Sequence, residues 1–100
     1  MTHNQSRLER RVRRDFPDPG SADSVLQLLA ELPSRAGYDH EALASERVQA
    51  ALVLLAIGNV RRLRQEIDLA MADWRDVLVA AGLADEDWSR RLDRELGTDP

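Results

Sequence analysis

The chain predicts an all-α fold, a compact orthogonal or irregular bundle of five to six short helices. Apolar residues recur at steps of three and four through most of its length, the period of one helix face. No stretch alternates with period two for long enough to make a strand, and the β-branched cluster lies inside helical periodicity. Cap residues, prolines and glycines punctuate the pattern at short intervals, and no heptad seam persists, which favours a bundle over a coiled coil.

Leu8, Val12 and Phe16 fall on one narrow stripe flanked by arginines, so a basic docking helix is expected over about residues 4–16. Pro17-Asp18-Pro19-Gly20 reads as loop. Ser21 is the expected N-cap of a second helix, with Asp23 in its first turn, a buried stripe of Val25, Leu28, Leu29 and Leu32, and Pro33 as its stop. Residues 33–44 read as a connection with room for a helical turn after Asp39. Ser45 or Asp39 then caps the most apolar element, from Val48 to Ile57, which belongs at the centre because it has almost no polar face. Gly58 suits the left-handed end of that helix, and Asn59 caps the next.

Val60, Leu63, Ile67, Ala70, Met71 and Trp74 mark the core face of the following helix. Asp73, with Asp76 three residues on, resembles a new start signal and predicts a bend. Val77, Leu78 and Ala81 return to the core until Gly82. Asp85 is the expected cap of a last helix carrying Trp88, Leu92 and Leu96, with Asp87, Arg91 and Glu95 as an i,i+4 charge ladder.

One hundred residues make one domain by the usual prior of roughly 100 to 200 residues each. With 43% hydrophobic and 32% charged residues the chain can fill one modest core, and zero cysteines exclude disulfides, thiol catalysis and cysteine-bound zinc. No apolar stretch approaches the length of a membrane span, and the Arg-rich start is not followed by the apolar run of a secretory signal. The expected location is the cytoplasm.

Catalytic signatures are absent: no glycine-rich phosphate loop, no G-x-S-x-G elbow, no H-E-x-x-H, and only two histidines, His3 and His40. Asp15, Asp18 and Asp23 have the wrong spacing for a calcium loop, and Asp85-Glu86-Asp87 read as a helix start favoured by its dipole. The expectation is a protein that is not an enzyme and holds no metal or cofactor. Residues 76–92 have the outline of a helix-turn-helix, but Leu78 stands where that motif wants a small residue. Asp85, Glu86 and Asp87 would also meet phosphates at the mouth of the groove.

All fourteen basic residues are arginine, which GC-rich coding accounts for. Their distribution is more informative. Arg7, Arg10, Arg11, Arg13 and Arg14 against Glu9 make residues 1–14 net +4, so the overall −4 leaves −8 for residues 15–100. Five arginines in eight residues could contact phosphates, although no aromatics interleave them for base stacking; the simpler expectation is that this head lies on the acidic surface of its own domain. Arg61, Arg62 and Arg64 are a second cluster, and two of them fall in the first turn after Asn59, where the helix dipole disfavours positive charge. Local pairing of Arg62 with Glu66 and Arg64 with Asp68 would offset that; the alternative is a site for an anion or an acidic partner, built from backbone amides and guanidinium groups. Trp74 and Trp88 complete apolar stripes and are expected in the core.

Residues 46–58, Glu-Arg-Val-Gln-Ala-Ala-Leu-Val-Leu-Leu-Ala-Ile-Gly, and 73–84, Asp-Trp-Arg-Asp-Val-Leu-Val-Ala-Ala-Gly-Leu-Ala, resemble an uncharacterised family of small all-α proteins from high-GC bacteria. The resemblance covers mainly the second half of the chain and implies one helical domain without catalytic residues. The functional expectation is a small non-catalytic protein-interaction module with Arg61, Arg62 and Arg64 at its contact surface. The alternatives are a nucleic-acid-associated protein using Arg7 to Arg14 and a structural homodimer formed through the apolar stretch 48–57.

Overall fold

The computed structural model describes residues 6–36 and 40–97. Six helices follow one another: α1 (Arg7–Asp15), α2 (Pro19–Ala36), α3 (His40–Ala44), α4 (Glu46–Ala56), α5 (Val60–Ala81) and α6 (Trp88–Leu96). Among the described residues there is no strand.

Ser6 sets the start of α1, its side chain accepting the Glu9 N–H at 3.0 Å, so the helix is shorter than the expected 4–16. The rest of that expected range, residues 4 and 5, lies outside the described residues. The helix ends at Asp15 because Phe16, at φ −120° and ψ 78° before Pro17, leaves the helical path. Val12 and Phe16 are buried, so the head is docked through its stripe.

Two boundaries of α2 differ from expectation. Asp18, not Ser21, caps the helix, its carboxylate accepting the Ser21 N–H at 2.9 Å, and Pro19 stands at the first helical position, where its missing N–H costs nothing. Pro33 does not stop α2 but lies within it. An interior proline orphans the carbonyl four residues earlier, here that of Leu29. Gln49 of α4 fills the gap: its Nε2 donates to the Leu29 carbonyl at 2.8 Å and to the Leu43 carbonyl of α3 at 3.0 Å.

The expected helical turn after Asp39 is α3; Asp39 itself lies outside the described residues. Ser45 is the cap of α4, accepting the Val48 N–H at 3.2 Å while its hydroxyl donates to the Ala42 carbonyl at 2.6 Å. As expected, α4 is central: Val48, Ala50, Ala51, Leu52, Val53 and Ala56 are all buried. Their small size lets α5 pack back along it as the main helix pair of the fold.

Asn59 caps α5 through the Arg62 N–H at 3.0 Å. Asp73 bends it, at φ −159° and ψ 103°, and its carboxylate accepts the Arg75 N–H at 3.1 Å, as a cap inside the helix. Gly82 ends α5 with positive φ. Leu83 N–H then donates to the Leu78 carbonyl and Gly82 N–H to that of Val79, a Schellman end with both leucines buried.

The last helix starts at Trp88 rather than after Asp85. The turn of residues 82–87 is therefore longer than the three or four residues of a helix-turn-helix. The ladder of Asp87, Arg91 and Glu95 does not form: Glu95 faces Arg11, and the Arg91 guanidinium lies against Gly82.

Candidate functional site

The arginines of α1 turn onto their own domain. Arg7 grips Glu46 at the start of α4 with two bonds, Nε to Oε2 at 3.0 Å and Nη2 to Oε1 at 2.7 Å. Its Nη1 reaches across to Asp93 of α6 at 2.5 Å and to the Gly97 carbonyl at 2.9 Å. A planar fork can satisfy two anionic groups in this way, where an ammonium could not. With 14% of its side chain exposed, Arg7 is a strut joining three helices. Hydrogen bonds to Glu46 first and Asp93 second hold its pKa above the ordinary arginine value, so it stays charged at every accessible pH.

Arg11 pairs with Asp15 at 3.0 Å and donates to the Glu95 main-chain carbonyl at 2.5 Å. Arg13 lies 3.2 Å from both Glu9 and Asp23. Arg10 and Arg14 are exposed. Arg7, Arg11 and Arg13, which would have met phosphates, are thus already matched by carboxylates of the same chain.

The second cluster behaves differently. Arg61, Arg62 and Arg64 are all exposed, and no acidic residue stands in the first turn of α5 to balance them. The expected pairs of Arg62 with Glu66 and Arg64 with Asp68 do not form. Arg62 instead donates from Nε to the Leu55 carbonyl at 2.7 Å, satisfying one of the orphan acceptors at the end of α4. Among the described residues, the side chains of Arg61 and Arg64 meet no ion pair or hydrogen-bond partner.

The corner between α4 and α5 adds an apolar element that sequence reading missed. Left-handed geometry was expected only at Gly58, yet Ile57 also adopts it, at φ 51° and ψ 46°, and is 72% exposed. A β-branched residue is an outlier there, because its branched Cβ crowds the backbone. Nothing local in the sequence marks it, since the helical stripe runs through Ile57 without a break. Gly58 follows at φ 71°, and a Cβ on it would fall 2.8 Å from the Asp15 carbonyl oxygen, so α1 approaches the corner at a distance only glycine allows. An open depression of about 250 Å³ lies here, lined by Arg11, Asp15, Leu54, Ile57 and Gly58.

The remaining candidates have internal roles. Trp74 and Trp88 are half-buried against the core, as expected. The Arg47 guanidinium sits 4.4 Å from the centre of the Trp88 ring and donates to the Leu83 carbonyl at 2.8 Å, tying the α5–α6 turn to α4. In the stretch 48–57, the expected dimer face, Gln49, Leu54 and Leu55 are partly buried, Ile57 is exposed and the other residues are buried. His40 is exposed at the start of α3, and His3 lies outside the described residues. Among the described residues no three His, Cys, Asp or Glu side chains gather as a metal-ligand set, and no helix is long and apolar enough to cross a membrane.

No known protein family matches the chain, and neither characterised proteins nor solved structures show a significant match to it, so its function is read from the surface itself.

Proposed function

We propose that the chain is a small, non-catalytic, cytoplasmic protein-interaction module that binds an acidic partner protein through the first turns of α5. The observation that supports this reading is the isolation of Arg61 and Arg64: both are exposed and unmatched, and Arg61 stands in the first turn of α5, where the dipole disfavours it. A carboxylate-bearing partner would supply the missing counter-charge. Arg62 is the least available of the three, because its guanidinium already serves the Leu55 carbonyl.

Capture from lysate of the source cells, split into nuclease-treated and untreated halves, tests the reading. A stoichiometric protein that survives nuclease and is lost from the Arg61→Gln/Arg64→Gln variant is the expected result, with circular dichroism unchanged. Capture unaffected by those substitutions removes the surface from consideration. Recovery that disappears with nuclease transfers the function to the basic helix α1, and a doubled mass in light scattering transfers it to self-association.

A further inference from the structure

We propose that α6 is a hinged lid latched by the basic helix α1, a conformational device separate from the arginine surface of α5. The helix rests chiefly on α1, and its buried side chains are Leu92 and Leu96. Its far end carries the latch. Arg7 Nη1 donates to the Asp93 carboxylate at 2.5 Å and to the Gly97 carbonyl at 2.9 Å, and Arg11 donates to the Glu95 carbonyl at 2.5 Å. Arg7 holds Glu46 of α4 through its other nitrogens, Nε and Nη2. The post of the latch is therefore fixed to the core whether or not α6 is engaged, so α6 can leave and return while α1 stays in place. Asp93 makes a single bond to Arg7 and its side chain is 47% exposed, so water can replace that bond.

The near end is built to turn. Residues 84–87 between α5 and α6 are all exposed, and Asp87 starts α6 without a side-chain cap. Leu83 before them is fully buried, fixed by its N–H bond to the Leu78 carbonyl and by Arg47 on its own carbonyl. Trp88, the first residue of α6, lies under the Arg47 guanidinium and marks the pivot. Closure carries a cost at this end. Arg91 lies against Gly82, and its Nε is buried with no hydrogen-bond acceptor among the described residues. An unsatisfied guanidinium N–H disfavours the closed form, and water satisfies it when α6 swings out. Bonds at the far end thus oppose a desolvation penalty beside the hinge, the balance of a helix that opens ahead of the rest of the fold.

The chain has no cysteine, so the single substitutions Leu83→Cys, Leu92→Cys and Leu96→Cys report opening through their rates of reaction with a thiol reagent under native conditions. The thiols at positions 92 and 96 should react at one common rate, at least about tenfold above that at position 83. Asp93→Ala should raise the common rate about fivefold, the scale of one half-exposed ion pair. Arg91→Met should lower it, because the unsatisfied N–H is gone. Equal rates at all three positions mean that α6 opens only with global unfolding, and they overturn the proposal. A fast thiol at position 96 beside a slow one at 92 means fraying of the last turn and overturns it too, as does a rate that ignores Asp93→Ala or rises in Arg91→Met. Where a thiol variant does not fold, native-state amide exchange of the unsubstituted chain replaces it: the α6 amides should exchange ahead of the Leu83 N–H and with little dependence on urea. Exchange of α6 in step with Leu83 likewise overturns the lid.

Discussion

The two arginine clusters have nearly the same local chemistry and opposite fates. In α1, Arg7 meets Glu46 and Asp93, separated from it by 39 and 86 residues, and Arg11 reaches the Glu95 carbonyl, 84 residues away. At the start of α5, Arg61 and Arg64 meet none, although Glu66 and Asp68 are close in sequence. A basic run thus becomes a structural strut when packing brings it over the termini of other helices. It stays a surface when its helix leads away from them. Long-range placement, rather than charge density, separates the two.

The contrast can be broken most severely at the place where the two regions touch. Gly58→Ala forces a Cβ to 2.8 Å from the Asp15 carbonyl at a left-handed position, so it should cost about 2 kcal/mol. Urea unfolding followed by circular dichroism measures it, and a cost below about 0.5 kcal/mol would show that α1 yields freely at the corner.

Arg7→Gln comes next. It removes the paired bonds to Glu46 and those to Asp93 and the Gly97 carbonyl, and should cost about 1–2 kcal/mol, since both acceptor side chains remain well solvated. Its midpoint should fall well below that of Arg61→Gln in the same urea series. Equal midpoints would contradict the division between strut and surface.

A matched arginine outside the two clusters, Arg75 on Asp73, gives a smaller and pH-dependent effect. Hydrogen bonds from Arg75, side chain first and backbone second, lower the Asp73 pKa from its usual 3.8. A depressed folded pKa contributes stability above the unfolded value, and that contribution is lost as pH falls through the folded one. The bend should therefore loosen only below pH 3.8. Trp74 emission in a Trp88→Phe background should report this, and the signal should be flat over the same range once Asp73 is Asn.

Arg61→Gln and Arg64→Gln should have the smallest effects on folding, a few tenths of a kcal/mol each. For Arg61 the sign should be stabilising, because a positive charge leaves the positive end of α5. A thermal melt that drops by several degrees with either would reveal an internal partner and remove the basis for a binding role.

How far the fold can be read without coordinates depends on the range of the interaction involved. Asn59 as cap, Gly82 as stop and the bend at Asp73 are local, each set by backbone preferences within three or four residues, and all were legible. Pro33 was misread because its effect is relieved from α4: only the fold brings Gln49 to the carbonyl of Leu29. Asp85 looks like a cap as much as Asp87 does, and a turn ahead of α6 decides between them. At the candidate site, the arginine cluster of α5 was found from the conflict of Arg61 and Arg62 with the dipole. That Arg62 is tied to Leu55, and that Ile57 stands out in a left-handed turn, was not visible, because both follow from the angle between α4 and α5.

By itself the sequence determined the helical class, the central place of α4, most helix ends and the two positive clusters, since periodicity, capping and charge are properties of neighbouring residues. Tertiary structure alone decided that Arg7 meets Glu46 and Asp93, why a proline can sit inside α2, and that Ile57 is left exposed. Those outcomes depend on groups tens of residues apart arriving within 3 Å or so of one another, a distance that packing sets and local preference does not.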